Sequence, residues 1–254
     1  MGEPLIRDIR YFESVCGCAP GFCMPDHLGK VFPLENRSEA VALGARFALK
    51  LAERGFRTRI YHHVYIQLTP ALPAETVRIS DVQLEPWMVI VEVGQPIDEW
   101  PTSGEEAQSR QLVRLTGQVL RFLCDAHQLD GRMIPHVEAQ ILEHGAELEI
   151  ERKVKETRSY RAVVSYQVLP YGQPTPLYVE YQDHKTGARG KKEVLRLKDF
   201  EDVFPLVGSV SVVGGILRLL PRNSFRARAA ARGYQTPIEV PVTDLLMNEA
   251  LSIA

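Results

Sequence analysis

Long hydrophobic runs are missing from this sequence. A membrane-spanning helix needs roughly 18 apolar residues in a row, and the longest candidate, 206–217, is interrupted by Gly208, Gly214 and Gly215. The first residues, Met-Gly-Glu-Pro-Leu-Ile-Arg-Asp, also lack the basic start and apolar core of a secretory signal peptide. We therefore expect a cytoplasmic protein with no membrane partner.

The common sequence signatures of catalysis are missing as well. The chain has no G-x-S-x-G elbow, no G-x-x-x-x-G-K-[ST] phosphate loop, no G-x-G-x-x-G and no H-E-x-x-H. The glycine-containing stretch 208–215 lacks the lysine of a phosphate loop, and its valines fit a bent strand better. Whether the protein is an enzyme stays open at this point, but the pattern favours binding over catalysis.

Cysteine is scarce, yet three of the four cysteines fall within eight residues, followed closely by a histidine. Thiolates and imidazole are the ligands of tetrahedral zinc. The spacing C-x-C-x4-C-x3-H is not a standard zinc-finger pattern, and no second cysteine pair follows it. The sequence predicts either ordinary burial, because free cysteine packs as a small hydrophobe, or a structural zinc site. Its ligands would be Cys16, Cys18, Cys23 and His27. No other cofactor is expected.

Capping patterns predict two helices in the first half of the chain. Asn36 and Glu39 have the spacing of a capping box, and Gly55 stands where a left-handed residue ends a helix. Ser103 and Glu106 repeat the box before a second apolar stripe of helical period.

Alternating apolar residues predict strands around these helices. The fold class expected is α+β: an N-terminal two-layer β-α-β-β-β-α unit, followed by a mostly antiparallel β unit with short C-terminal helices. The corresponding domains are 1–135 and 136–254. The predicted strands lie at 7–15, 60–68, 76–84, 87–93, 159–169, 177–183, 193–197 and, as a hairpin, 207–220. The short helices lie near 223–232 and 242–252.

The strand at 60–68 carries a candidate binding surface. Side chains alternate between the two faces of a strand, so Tyr61, His63 and Tyr65 share one face with Gln67. His62 points the other way and is expected in the core. Tyrosine presents a large area with few rotatable bonds, which makes this face a candidate partner-binding surface, unless the second domain covers it.

Positive charge is concentrated near the C-terminus. Eleven basic and four acidic residues lie between positions 184 and 234 of a chain whose net charge is −2. Such a segment suits phosphate or an acidic protein; alternatively, it is a solvated helix or pairs with acidic residues of the same chain. The candidate partner-binding residues here are Lys185, Arg189, Lys191, Lys192, Arg218, Arg222, Arg226 and Arg228.

Two functions fit these features. The first is a non-enzymatic binding protein that occupies a macromolecular partner, most readily a protein, as immunity proteins (antitoxins) do when they neutralise a toxin. The comparison rests on general profile and on no matched residue. The second is a nucleic-acid-binding subunit or a nuclease that uses the basic region 185–232, with or without a structural zinc at the cysteine cluster. If the protein catalyses a reaction, His63 is the candidate acid–base residue.

Overall fold

A computed structural model describes residues 3–14 and 25–247. The chain divides into two compact units, Met1–Leu148 and Glu149–Ala254. In this division the whole of the helix Ile134–His144 belongs to the first unit, whereas a boundary at 135 would cut the helix near its start. Within the described ranges, no helix is both long and apolar enough to cross a membrane.

The first unit contains a mixed sheet and three helices. The elements are β1 Asp8–Glu13, β2 Asp26–His27, α1 Arg37–Glu53, β3 His63–Thr69, β4 Val77–Ile79, β5 Met88–Gly94, α2 Glu105–His127 and α3 Ile134–His144. Strands β1, β3 and β5 are parallel neighbours, while β2 and β4 pair antiparallel at the two edges, in the order β2-β1-β3-β5-β4.

Local signals account for α1. The backbone N–H of Glu39 donates to Oδ1 of the N-cap residue Asn36 at 3.1 Å. After the helix, Gly55 has φ +80°, a value that glycine adopts without steric cost. The helix packs closely on β1: a Cβ atom at Gly44 would lie 2.1 Å from the carbonyl oxygen of Ile9.

One face of the sheet forms the core of the first unit. Val64, Ile66 and Leu68 of β3 are fully buried in a cluster that also contains apolar residues of all three helices. The alternating residues His63 and Tyr65 lie on the opposite face and are only partly buried, whereas Gln67, further along that face, is fully buried.

The second unit is built on antiparallel sheets. Four consecutive strands form one sheet in chain order, and three more form a second. The strands are β6 Glu149–Glu156, β7 Tyr160–Gln167, β8 Thr175–Asp183, β9 Arg189–Leu197, β10 Ser209–Val213, β11 Ile216–Leu220 and β12 Ile238–Pro241. The short helices are α4 Val203–Leu206, α5 Phe225–Ala231 and α6 Val242–Leu246. The predicted α+β class is confirmed, as is the hairpin that turns at Gly214 and Gly215.

Candidate functional site

The starts of the three parallel strands bring together residues that are far apart in the chain. The backbone N–H of His62 donates to the Trp87 carbonyl at 3.0 Å, and that of Arg7 donates to the His62 carbonyl at 2.8 Å. These bonds align the strand starts, so that His63 has Asp8 on one side and Met88 on the other.

Two histidines and a tryptophan form the centre of this site. The His62 ring stacks on the Trp87 indole with centroids 5.3 Å apart and planes 6° apart. The His63 ring meets the same indole edge-on, at 4.5 Å. The Nδ1 atoms of the two histidines lie 2.5 Å apart. One Nδ1 must carry a hydrogen and the other must accept it, because two bare lone pairs or two N–H groups would repel.

Aromatic rings continue from this centre across the sheet. Arg10 places its guanidinium 5.8 Å from the centroid of the Tyr65 ring, and its Nε lies 2.6 Å from Asp8 Oδ2. Phe12 contacts Tyr65 at 4.9 Å between centroids and stacks on His27 at 5.8 Å. We call this surface the aromatic face; it comprises Arg10, Phe12, His27, His62, His63, Tyr65 and Trp87.

Much of the aromatic face remains open to solvent. Trp87 is 36% exposed; Ile60 and Leu84, which lie two and three residues before His62 and Trp87 in the chain, are 62% and 45% exposed. Single exposed apolar side chains are normal on a protein surface, whereas large contiguous apolar patches mark interaction sites.

Charged side chains act on the two histidines of the aromatic face. Burial lowers the pKa of His62 below its usual 6.5, and the Arg7 charge acts in the same direction. Burial also lowers the pKa of His63, although the Asp8 carboxylate opposes this change. Both imidazoles are therefore mainly neutral at pH 7. The charges that act on His63 are those of Arg7, Arg10 and Asp8.

The structure brings His63 and Tyr65 together as predicted, but it corrects the placement of Tyr61. Tyr61 is 8% exposed and belongs to the core, where its hydroxyl lies 2.5 Å from His127 Nε2. The strand begins only at His63, so the alternation does not extend back to Tyr61. His62, expected in the core, instead lies on the aromatic face with Trp87, which the sequence analysis missed.

The cysteine cluster lies outside the described residues. Of the four predicted ligands only His27 is described; it is exposed and stacks on Phe12. In the ranges 3–14 and 25–247, no group of three or more His, Cys, Asp or Glu side chains is arranged to hold a metal ion. Burial raises the pKa of the remaining cysteine, Cys124, to about 11, which keeps it a neutral thiol. The structural zinc stays a prediction.

Most of the predicted basic residues in the second unit are paired with carboxylates of the same unit. Such surface pairs reduce the local excess of positive charge. The pairs of the predicted residues are Arg189 with Glu180, Lys191 with Glu149, Lys192 with Asp244, Arg218 with Glu239 and Arg226 with Glu201. Arg196, which was not among the predicted residues, pairs with Glu193. Within the part of the chain that the structure describes, Lys185, Arg222 and Arg228 have no carboxylate partner. Most basic residues of the segment 184–234 are therefore paired with carboxylates of the same chain, which is the alternative that the sequence left open.

Comparisons with protein-family models, curated proteins and solved structures give no match for this chain. The chemistry of its own surfaces is therefore the available guide to function. The aromatic face offers flat apolar area, imidazole edges that donate or accept hydrogen bonds, and the guanidinium group of Arg10. These are groups suited to recognition.

Proposed function

We propose that this protein acts by binding another protein through the aromatic face. The observation that carries the proposal is the row of partly exposed rings, from His27 to Trp87, held on neighbouring strands or directly before them. Trp, Tyr and Arg are the residue types that dominate binding hot spots. Because backbone hydrogen bonds hold these positions, little conformational freedom is lost on binding.

The charges of the face indicate the kind of partner. Arg7 and Arg10 flank the neutral imidazoles, so the complementary surface would have apolar groups surrounded by acidic ones. Occupation of a partner's working surface, as immunity-type proteins achieve, is one form of this function. No reaction needs to take place at the aromatic face.

The proposal is tested by capturing the partner and measuring its affinity for variants. Proteins retained by the tagged full-length chain are identified by mass spectrometry, and the affinity of the purified partner is measured by calorimetry. We expect Trp87→Ala to weaken binding by about 30-fold or more, because a hot-spot truncation costs about 2 kcal/mol or more.

The matched control is Tyr171→Ala, which removes an aromatic ring that is 86% exposed on a turn of the second unit. This variant should bind the partner as the wild type does. Equal affinities for wild type, Trp87→Ala and Tyr65→Ala, with all three folded, would contradict the proposal.

A second candidate function is binding of single-stranded nucleic acid by the second unit. The observation that favours it is the exposed segment around α5, where Phe225 is 80% exposed. Arg222, Arg228 and Arg232 have no ion-pair partner among the described residues. Arginines contact phosphates and an exposed ring stacks on bases, which together suit a single strand.

Fluorescence anisotropy with a labelled oligonucleotide tests this second function. The triple variant Arg222→Ala, Arg228→Ala, Arg232→Ala should lose most of the binding. Arg226→Ala, whose guanidinium lies 3.0 Å from Glu201, is the control and should change it little. Undiminished binding by the triple variant would exclude this segment as the binding surface.

A further inference from the structure

Two arginines of the second unit contact adjacent residues of α4. Arg152 of β6 donates from Nη2 to the Phe204 carbonyl at 3.5 Å, and its Cζ lies 5.2 Å from the centroid of the Phe204 ring. Arg222, which follows β11, donates from its backbone N–H to the Pro205 carbonyl at 2.8 Å. Both residues are thereby anchored to α4.

The position of each arginine depends on a local feature of the backbone. The register of β6 against β7 shifts between Glu151 and Lys153, which makes Arg152 the extra residue of a β-bulge. Bulges redirect a side chain away from regular alternation. The backbone of Arg222 passes so close to Gly208 that a Cβ atom there would lie 2.8 Å from the Arg222 nitrogen.

This arginine pair lacks the counter-charges found elsewhere in the second unit. Within the described residues neither guanidinium has a carboxylate partner, and the buried Nε of Arg152 makes no hydrogen bond. Burial lowers the pKa of Arg152, and the positive charge of Arg222 lowers it further. A partly buried cation beside a like charge is costly unless an anion compensates it.

We propose that Arg152 and Arg222 form a binding site for an oxyanion, with phosphate as the ligand class. Guanidinium groups match the oxygen atoms of phosphate through paired N–H donors. A phosphate group carries up to two negative charges and balances both arginines, whereas a carboxylate balances only one. The site is independent of the aromatic face and of the protein-binding function proposed for it.

Calorimetric titration of the full-length protein with inorganic phosphate tests the site, at constant ionic strength in sodium chloride. The wild type should show saturable binding. Arg152→Met, which keeps an apolar stem against Phe204, and Arg222→Gln should each weaken binding about tenfold or more, as expected when a hydrogen-bonded charge is removed. The control is Arg158→Gln, an exposed arginine between β6 and β7 with no described partner, and it should bind as the wild type does.

Further arms identify the ligand chemistry. Acetate should bind much more weakly than phosphate, and equal binding would overturn the assignment to phosphate. A simple phosphate monoester is compared with inorganic phosphate: tighter binding of the ester assigns the site to a phosphorylated molecule, and equal or weaker binding assigns it to the free anion.

Two results would overturn the site itself. One is the absence of saturable binding of phosphate to the wild type. The other is wild-type affinity in Arg222→Gln. Because Arg222 is exposed, this variant should fold even if Arg152→Met does not, and circular dichroism of each variant verifies folding.

Discussion

A single buried carboxylate organises the loop that follows β2. Glu13 is fully buried at the end of β1. Its two carboxylate oxygens accept four successive backbone N–H groups at 2.8–3.2 Å, those of Gly29, Lys30, Val31 and Phe32. Successive N–H groups that surround an anion in this way form a nest, which here is filled by the protein's own side chain.

Replacing this carboxylate should destabilise the protein. Glu13→Gln removes the negative charge and replaces one accepting oxygen with an NH₂ group, which faces backbone N–H groups and cannot accept from them. We therefore expect the free energy of unfolding to fall by about 2–3 kcal/mol. Urea unfolding measures the change. Glu106→Gln is the control, because Glu106 is exposed and pairs with Arg110 on the same helix; its effect should stay within about 0.5 kcal/mol. A loss below about 1 kcal/mol for Glu13→Gln would contradict the role of the nest.

The histidine pair should make stability depend on pH. The pKa values of His62 and His63 are lowered in the folded state, whereas unfolded histidine titrates near 6.5. Between the folded and unfolded pKa values the unfolded chain binds more protons. The stabilising contribution is therefore complete above about pH 7 and is lost as the pH falls through 6.5 toward the folded pKa values.

Urea unfolding between pH 5 and 8 measures this contribution. The double variant His62→Gln, His63→Gln should lose less stability on acidification than the wild type does. His144→Gln, which alters a half-exposed histidine of α3, should follow the wild-type curve. Parallel curves for the wild type and the double variant would show that the pair is not the pH-sensitive group.

At the scale of whole elements, helix ends could be predicted where the interactions that form them lie close together in the sequence. Asn36 and Gly55 marked α1 because a cap and a left-handed residue act within a few positions. The capping box predicted at Ser103 does not form. A residue distant in sequence interacts with the chain before α2 instead: the backbone N–H of Gly104 donates to Glu35 Oε1 at 2.7 Å. The helix α2 then begins at Glu105 without a side-chain cap.

Replacing the two predicted cap residues should therefore change the free energy of unfolding by different amounts. Asn36→Ala should lower the free energy of unfolding by about 1 kcal/mol, the usual cost of a lost N-cap. Ser103→Ala should change it by less than about 0.5 kcal/mol, because Ser103 is exposed and caps nothing. Chemical denaturation of both variants makes the comparison, and equal losses would mean that the box at Ser103 forms in solution.

Strand register explains what the sequence could not reveal about the sheets and the site. Strand β6 was missed because charged residues dominate it and a bulge at Arg152 interrupts its alternation. On the aromatic face, alternation along β3 identified His63 and Tyr65. Phe12 and Trp87 come from other parts of the chain, and only the pairing between strands shows that they adjoin these residues.

For the molecule as a whole, the distribution of charge in the structure differs clearly from what the sequence alone suggests. The sequence places eleven basic residues between 184 and 234. Ion pairs within the second unit involve six of them. Five have no ion-pair partner among the described residues: Lys185, Lys198, Arg222, Arg228 and Arg232. An anion that approaches this segment meets fewer uncompensated cations than the composition implies.

The number of basic residues without an ion-pair partner limits how strongly binding of single-stranded nucleic acid to this segment can depend on salt. Each phosphate neutralised contributes about −0.7 to the slope of log K against log salt concentration. Five unpaired cations limit the slope to about −3.5, whereas all eleven would give about −8. Anisotropy titrations across a salt series should therefore yield a slope no steeper than about −3.5. Arg228→Ala should reduce it by about 0.7, and Arg226→Ala, which removes a paired arginine, should leave it unchanged. A slope near −8 would mean that nucleic acid displaces the internal carboxylates, and the paired arginines would then belong to the binding surface.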